Sequence, residues 1–120
     1  MRYVMLLCGD EDGWYDPDRA AEQENAMNEI YAWMEKWQAE GKIADGGAEL
    51  DTSRKAKTVS RGPDGAPMVT DGPYLELKEV VGGFIMLEAD DIDDAVAVAA
   101  TWPGVARFGD KVEVRPVMQR

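Results

Sequence analysis

Two short segments in which every residue is apolar limit most strongly how this chain can fold. Residues 3–8 and 84–87 each have the composition of a β-strand, and successive side chains of a strand point to opposite faces of a sheet. A strand with one face in water alternates apolar and polar residues, and these segments do not. Both faces of the sheet that contains them are therefore expected to be covered.

Helical and strand patterns follow one another along the rest of the chain. Asp16 and Pro17 are typical of a helix start, and Gly41 is typical of a helix end. A second helix is predicted to begin after Asp90 or Asp91, with further acids in its first turn. Strands are predicted at 2–8, 42–50, 55–61, 66–70, 83–89 and 111–118, with a Pro-Asp-Gly turn between the third and fourth.

Each predicted helix has apolar residues at helical spacing, which indicates one face directed at a core. Trp33 falls on the flank of the first of these stripes. We interpret the first stripe as core and not as a cofactor site. The stripes are Met27, Ile30, Tyr31, Met34 and Trp37 in the first helix, and Ile92, Ala95, Val96 and Ala99 in the second.

The elements therefore come in the order strand, helix, strand, hairpin, strand, helix, strand. This order predicts an α+β fold, a ferredoxin-like split βαβ sandwich with an inserted β-hairpin, whose antiparallel sheet has two helices on one face. The 120 residues fit a single domain, 1–120. Because both helices cover the same face, a second copy of the chain is the expected cover for the other face, which predicts a homodimer.

The charge of the chain excludes two classes of partner. Its formal net charge is −11, from 24 acidic and 13 basic residues. Nonspecific binding to nucleic acid and docking on anionic membranes both need a basic surface, so we expect no nucleic-acid partner and no membrane partner. The single cysteine, Cys8, cannot form an intrachain disulfide, and no apolar run has the length of a signal peptide or a membrane span. These features favour a cytoplasmic protein.

The absence of histidine narrows the chemistry further. Ser-His and Cys-His nucleophile systems are excluded, as are histidine-ligated metal sites, and no phosphate-binding glycine fingerprint is present. We expect no cofactor and no tightly bound metal, and we interpret Cys8 as a small core residue. The acidic residues of the loop at 9–17 match no complete calcium-binding pattern, so a solvated loop is favoured over a cation site.

The candidate site lies in residues 70–83, where turn residues and charges are dense. Asp71 is expected to order this loop through hydrogen bonds from neighbouring backbone N–H groups, while Glu76 and Lys78 share one face of a short extended segment. Such a loop either carries a site or simply positions two strands, and both interpretations remain open. The carboxylates suited to acid–base catalysis are Asp71, Glu76 and Glu79. The candidate ligand-binding residues are Asp71, Gly72, Pro73, Tyr74, Glu76, Lys78, Arg54 and Arg115.

Arg54 also belongs to the one basic neighbourhood of the sequence, together with Lys55, Lys57 and Arg61. A local basic patch on an acidic protein could attract an anionic ligand. The alternative, which we favour slightly, is an exposed hairpin that its charges keep soluble.

The segment Thr70-Asp71-Gly72-Pro73-Tyr74, followed by Glu76, Lys78-Glu79 and Gly82-Gly83, resembles the DGPF-motif proteins of the YCII-related family. Tyr74 stands where that family usually has Phe. The resemblance implies a ferredoxin-like domain that dimerises, in the group of dimeric α/β-barrel proteins. Some relatives are similar to proteins found beside alternative sigma factors. Others are suspected to use a histidine–aspartate pair, whose histidine this chain lacks.

Two functions of different classes follow. In the first, a dimeric domain binds a small molecule in an internal pocket and uses carboxylates for acid–base catalysis. In the second, the chain is a noncatalytic regulatory or interaction module, linked to sigma-factor-dependent transcription through a protein partner. A pocket lined by carboxylates would favour the first function, and a filled interior with an exposed apolar patch would favour the second.

Overall fold

The structure is a computed structural model that describes residues 1–72 and 79–120, with the backbone but not the side chain of Glu79. The strands are β1 (Arg2–Asp10), β2 (Ile43–Glu49), β3 (Lys57–Arg61), β4 (Pro67–Asp71), β5 (Glu79–Glu88) and β6 (Lys111–Pro116). The helices are α1 (Glu11–Trp14), α2 (Ala20–Ala39), α3 (Ile92–Ala99) and α4 (Pro103–Phe108). Short 3-10 turns at Pro17–Arg19 and Ser53–Lys55 precede α2 and β3.

Four strands form one antiparallel sheet in the order β2-β5-β1-β6. The central strands are β1 and β5, and these are the two strands whose sequences are apolar on both faces. The connections through α2 and α3 give the split βαβ order of a ferredoxin-like fold. The predicted α+β fold with an antiparallel sheet is therefore confirmed.

The hydrophobic core lies between this sheet and the helices. Tyr3 and Met5 of β1 are 3% and 0% exposed, and they pair across the sheet with Leu87 and Ile85 of β5. On the helix side, Trp33 of α2 meets Trp102 edge to face, with ring centroids 5.0 Å apart. Such a pair adds about 0.5–1.5 kcal/mol to the burial of its rings. The remaining buried core residues are Ala89, Ala95, Val98 and Ala99.

Thr101, which follows α3, accepts hydrogen bonds from the indole groups of two tryptophans of α2. The Nε1–H groups of Trp33 and Trp37 donate to Oγ1 of Thr101 at 2.9 and 3.2 Å. The hydroxyl of Thr101 donates in turn to the carbonyl oxygen of Val98 at 2.7 Å. These bonds fix the side of α2 that faces α3.

The edge strand β2 approaches β5 closely because it contains a glycine pair. The register between the two strands shifts twice, between Ile43 and Asp45 and between Asp45 and Ala48, as it does at a β-bulge. Gly47 has φ +66°, and a Cβ atom at this position would collide with the carbonyl group of Phe84. This position therefore requires glycine.

The two stripes predicted for the helices are partly wrong. Tyr31 is 64% exposed, whereas Ala26 and Trp33 are the buried residues of α2, because the indole of Trp33 packs on Trp102. In α3 the buried residues are Ala95, Val98 and Ala99, and the helix packs on β6 and β1. Ile92 and Val96, which the prediction placed in the core, are 39% and 46% exposed.

The two predicted helices begin close to the predicted capping residues, but the structure also contains two short helices that were not predicted. The carboxylate of Asp91 accepts a hydrogen bond from Asp94 N at 2.8 Å and caps α3, as predicted. Asp16 caps the 3-10 turn that leads into α2. The loop expected at 9–17 contains α1, which Asp10 caps through the N–H of Asp12. Pro103 begins α4, in a part of the chain for which the sequence predicted no helix.

Candidate functional site

A cavity of about 330 Å³ lies between α2, α4 and the sheet, close to the end of β1. We call it the helix-side cavity. Its apolar wall includes Leu7 of β1, Ile30 of α2 and Phe108 of α4. Its volume falls in the range of small-molecule sites, which are usually concave and mainly apolar. Among the described residues, this arrangement is the best candidate for a binding site.

One side of helix α2 forms a wall of this cavity. Met27, Ile30, Tyr31 and Met34 line it, and they follow one another at the spacing of a single helical face. The sequence predicted that these residues fill the core. In the structure Ile30 and Met34 do pack, partly buried, against the core, and the stripe also faces the open volume together with the buried Ala26.

An irregularity in the central strands shapes the floor of the cavity. The pairing of β1 with β5 shifts between Leu7 and Cys8, so that Leu7 faces Gly83 and Cys8 faces Val81. Cys8 and Gly83 both line the cavity. Cys8 was predicted to be a core residue, but it is only partly buried and belongs to this wall.

Two glycines make room for the carboxylate of Asp110 at the edge of the cavity. A Cβ atom on either Gly9 or Gly104 would collide with this carboxylate, and one on Gly104 would also lie 2.9 Å from Trp102 Nε1. The amide N–H of Asp110 donates to the carbonyl oxygen of Gly104 at 3.1 Å. Asp110 is therefore held between the end of β1 and the start of α4, where it lines the cavity.

A hydrogen-bonded clasp closes the opposite rim. Ser53 donates to the carboxylate of Glu11 through its amide, at 2.5 Å, and through its hydroxyl. This contact joins α1 to the 3-10 turn that follows β2. Partial burial acts to raise the pKa of Glu11, but the hydrogen bonds from Ser53 outweigh it, and the pKa lies below its ordinary value. Glu11 is thus held ionised.

Tyr15, beside this clasp, lies in a negative environment. Burial raises the pKa of its phenol, and the charges of Asp51, Glu49 and Glu11 raise it further. Asp51 accepts a hydrogen bond from Lys55 Nζ at 2.8 Å, and this bond lowers the pKa of the carboxyl group. Tyr15 therefore keeps its proton at neutral pH and can donate a hydrogen bond into the cavity that it lines.

The residues that the sequence singled out lie partly elsewhere. The Asp71 side chain is 89% exposed and pairs with Lys57 Nζ at 2.5 Å across the hairpin. The N–H groups beyond Gly72, from which it was expected to accept hydrogen bonds, fall outside the described residues. Gly72 has φ +89°, the conformation that favours glycine, and its N–H donates to Ala56 O at 2.8 Å. Arg115 pairs with Glu113 at 2.6 Å on β6. The structure places none of Arg54, Asp71, Gly72 and Arg115 in the cavity lining.

The remaining candidates lie at or beyond the limit of the description. Pro73, Tyr74, Glu76 and Lys78 fall outside the described residues. The backbone of Glu79 begins β5 and pairs with Asp10, which lines the cavity. The part of the candidate segment that begins at Glu79 therefore joins the sheet beside this site.

The carboxylates of the cavity were not predicted as a group. Asp10, Glu11, Glu49, Asp51 and Asp110 line it. Asp10 and Glu11 belong to the loop that the sequence suggested was solvated. Asp110 carried no local signal except its place between a helix and a strand. Within the described ranges, no group of three or more acidic or cysteine side chains could hold a metal ion, and no helix is long and apolar enough to cross a membrane.

Comparison with known proteins agrees with the motif. A family model described as YCII-related domain matches residues 1–119. An uncharacterised protein of Rhizobium meliloti (strain 1021) is 28% identical over 120 residues, a match that covers 98% of this chain and 92% of the relative. The chain belongs to the YCII-related domain family.

Proposed function

We propose that this protein binds a small molecule in the helix-side cavity and that the carboxylates around it provide acid–base chemistry. One observation carries the proposal: an open volume of about 330 Å³, lined by apolar and aromatic side chains, with ionisable groups at its edge. A helix packed only for stability would fill this volume, because protein interiors are close-packed.

Asp110 is the carboxylate that we propose contacts the ligand. Gly9 and Gly104 leave its side chain room at the wall, and its backbone is fixed to α4. Glu11 has a different role, since its hydrogen bonds to Ser53 commit it to the clasp. Glu79 remains a second candidate, because its backbone pairs with Asp10 at the same edge. Asp71 and Glu76 remain proposals from the motif alone.

We also propose that the protein is a homodimer. Val4, Leu6 and Met86 form the outer sheet face, on the side of β1 and β5 that is opposite Tyr3 and Met5. The radius of gyration is 16.3 Å, compared with about 13–14 Å for a compact chain of this length.

The hairpin β3–β4 forms a separate two-stranded sheet whose Val59 and Val69 are 67% and 60% exposed. Isolated hairpins are marginally stable, and a second copy would cover both surfaces.

Binding to the cavity can be tested by partly filling it. Ala48 is an exposed residue of β2 that lines the cavity, and Ala48→Phe adds a ring there. We expect the neutral probe 2-phenylethanol to bind the unmodified protein in calorimetric titrations and to bind Ala48→Phe at least about fivefold more weakly. Ala32→Phe, on an exposed part of α2 outside this lining, is the matched control and should bind like the parent.

Two outcomes would contradict the proposal. If neither 2-phenylethanol nor its amine analogue 2-phenylethylamine binds the unmodified protein, or if both variants bind 2-phenylethanol as well as the parent, the cavity is not the site. A monomeric chain whose cavity binds no probe would instead favour the noncatalytic interaction module.

A further inference from the structure

The charged residues in the described lining of the helix-side cavity are all acidic. Five acidic residues line it, and no lysine or arginine is among the described lining residues. An anionic ligand would enter this cavity against the field of these carboxylates, whereas a cation would be attracted. This is the opposite of the anionic ligand that the basic neighbourhood of the sequence suggested.

Two of the basic side chains nearest the rim are paired with acids. Arg19 donates through Nε to Glu22 at 2.9 Å, and Lys55 pairs with Asp51 at 2.8 Å. The charge of Asp51 is therefore offset, and the exposed Glu49 is the carboxylate most relevant to a ligand. Glu49 is exposed on β2 and Asp110 is half-buried at the opposite wall, so acidic groups lie on two sides of the volume.

Aromatic rings give the same cavity a second feature that suits a cation. Trp14 and Phe108 meet edge to face with centroids 5.4 Å apart, and both line the cavity. The guanidinium of Arg19 already lies 4.7 Å from the centroid of the Phe108 ring. Ring faces attract ammonium groups, most strongly where water is partly excluded. Burial is the largest cause of the raised pKa of Tyr15, and the charges of Asp51, Glu49 and Glu11 raise it further.

We propose that the cavity selects small organic cations, in which an apolar body bears a protonated amine. This inference rests on the proposed function and adds to it the class of ligand. The apolar body would contact Met27, Ile30 and Met34, and the ammonium group would lie against an aromatic ring and a carboxylate. One exposed cation–π contact and one partly screened ion pair together correspond to about a tenfold gain in affinity over a neutral analogue.

Three probes with the same ring test the charge preference. They are 2-phenylethylamine, which is a cation at pH 7, 2-phenylethanol, which is neutral, and phenylacetate, which is an anion. In calorimetric titrations at low ionic strength we expect the amine to bind about tenfold more tightly than the alcohol, and phenylacetate to bind least. The preference should decrease in 0.5 M salt, because screening weakens partly exposed ion pairs.

Two variants, each of which removes one negative charge, test whether a carboxylate of the cavity causes the preference for the amine. Glu49→Gln should reduce the preference for the amine over the alcohol about threefold without changing affinity for the alcohol. Glu35→Gln, which removes the same charge from an exposed position of α2 outside the lining, should leave the preference unchanged. If the alcohol binds and the amine binds no better, the cation preference is wrong and the proposed function stands. If none of the three binds, both are wrong.

Discussion

The substitution Gly47→Ala tests whether β2 approaches β5 as closely as the structure indicates, which sets one wall of the cavity. Two costs combine at this position. Gly47 has φ +66°, and an alanine in that region costs about 1 kcal/mol. Its Cβ would also collide with the carbonyl group of Phe84, which is backbone and cannot rotate away. Forced displacement of a packed strand adds about 1–3 kcal/mol. We therefore expect a loss of about 3 kcal/mol in the free energy of unfolding.

The chain provides a control that separates the two costs. Gly41, just beyond α2, has φ +72°, but nothing lies within 4 Å of a Cβ atom at that position. Gly41→Ala should therefore lose only the conformational part, about 1 kcal/mol. Urea unfolding of both variants, monitored by tryptophan fluorescence, gives the two free energies. If Gly47→Ala unfolds at the same urea concentration as Gly41→Ala, the backbones are not in close contact and the register of β2 is wrong.

Three further outcomes are expected. Lys42 donates to Asp94 at 2.7 Å and thereby lowers the pKa of that carboxyl group. The stability that this pair contributes is present above the unfolded pKa and is lost as the pH falls through the lowered pKa of the folded state. Asp94→Asn should therefore flatten this part of the acid-unfolding curve. Asp71→Ala should change the free energy of unfolding by less than about 1 kcal/mol, since the ion pair with Lys57 is exposed. A larger loss of stability in thermal melts would show that Asp71 does have a structural role. In light scattering the chain should have about twice its 13.3 kDa mass, and Leu6→Lys on the outer sheet face should shift it toward the monomer; a monomeric parent would refute the dimer.

The fold could be predicted because its signals are local and repeated. Strands that are apolar on both faces become central strands, and Asp91 caps a helix through its own side chain. The face that each helix buries depends on what packs against it, which the sequence does not state. Trp33 is buried because Trp102 meets it, and the two are far apart along the chain. The spacing of α2 alone could not distinguish a core stripe from the wall of a cavity.

The candidate site was harder to predict for a related reason. Its carboxylates come from the end of β1, the end of β2 and the start of β6, and only the folded sheet brings them together. The motif directed attention to Asp71, a residue that lies on a projecting hairpin and pairs with Lys57. Asp110 is identified by Gly9 and Gly104, where a side chain would collide with its carboxylate. No spacing in the sequence connects those three positions.

Methionine methyl groups allow the most direct test of the helix-side cavity. Met27 and Met34 line it, whereas Met5 is fully buried in the core, and Met68 and Met118 are 43% and 73% exposed elsewhere. We would titrate protein labelled with ¹³C at the methionine methyls with 2-phenylethanol and follow the NMR signals. The expected result is a saturable shift of Met27 and Met34, with Met5, Met68 and Met118 unchanged. Unchanged signals from Met27 and Met34, or shifts confined to Met68 and Met118, would show that the small molecule does not bind in this cavity.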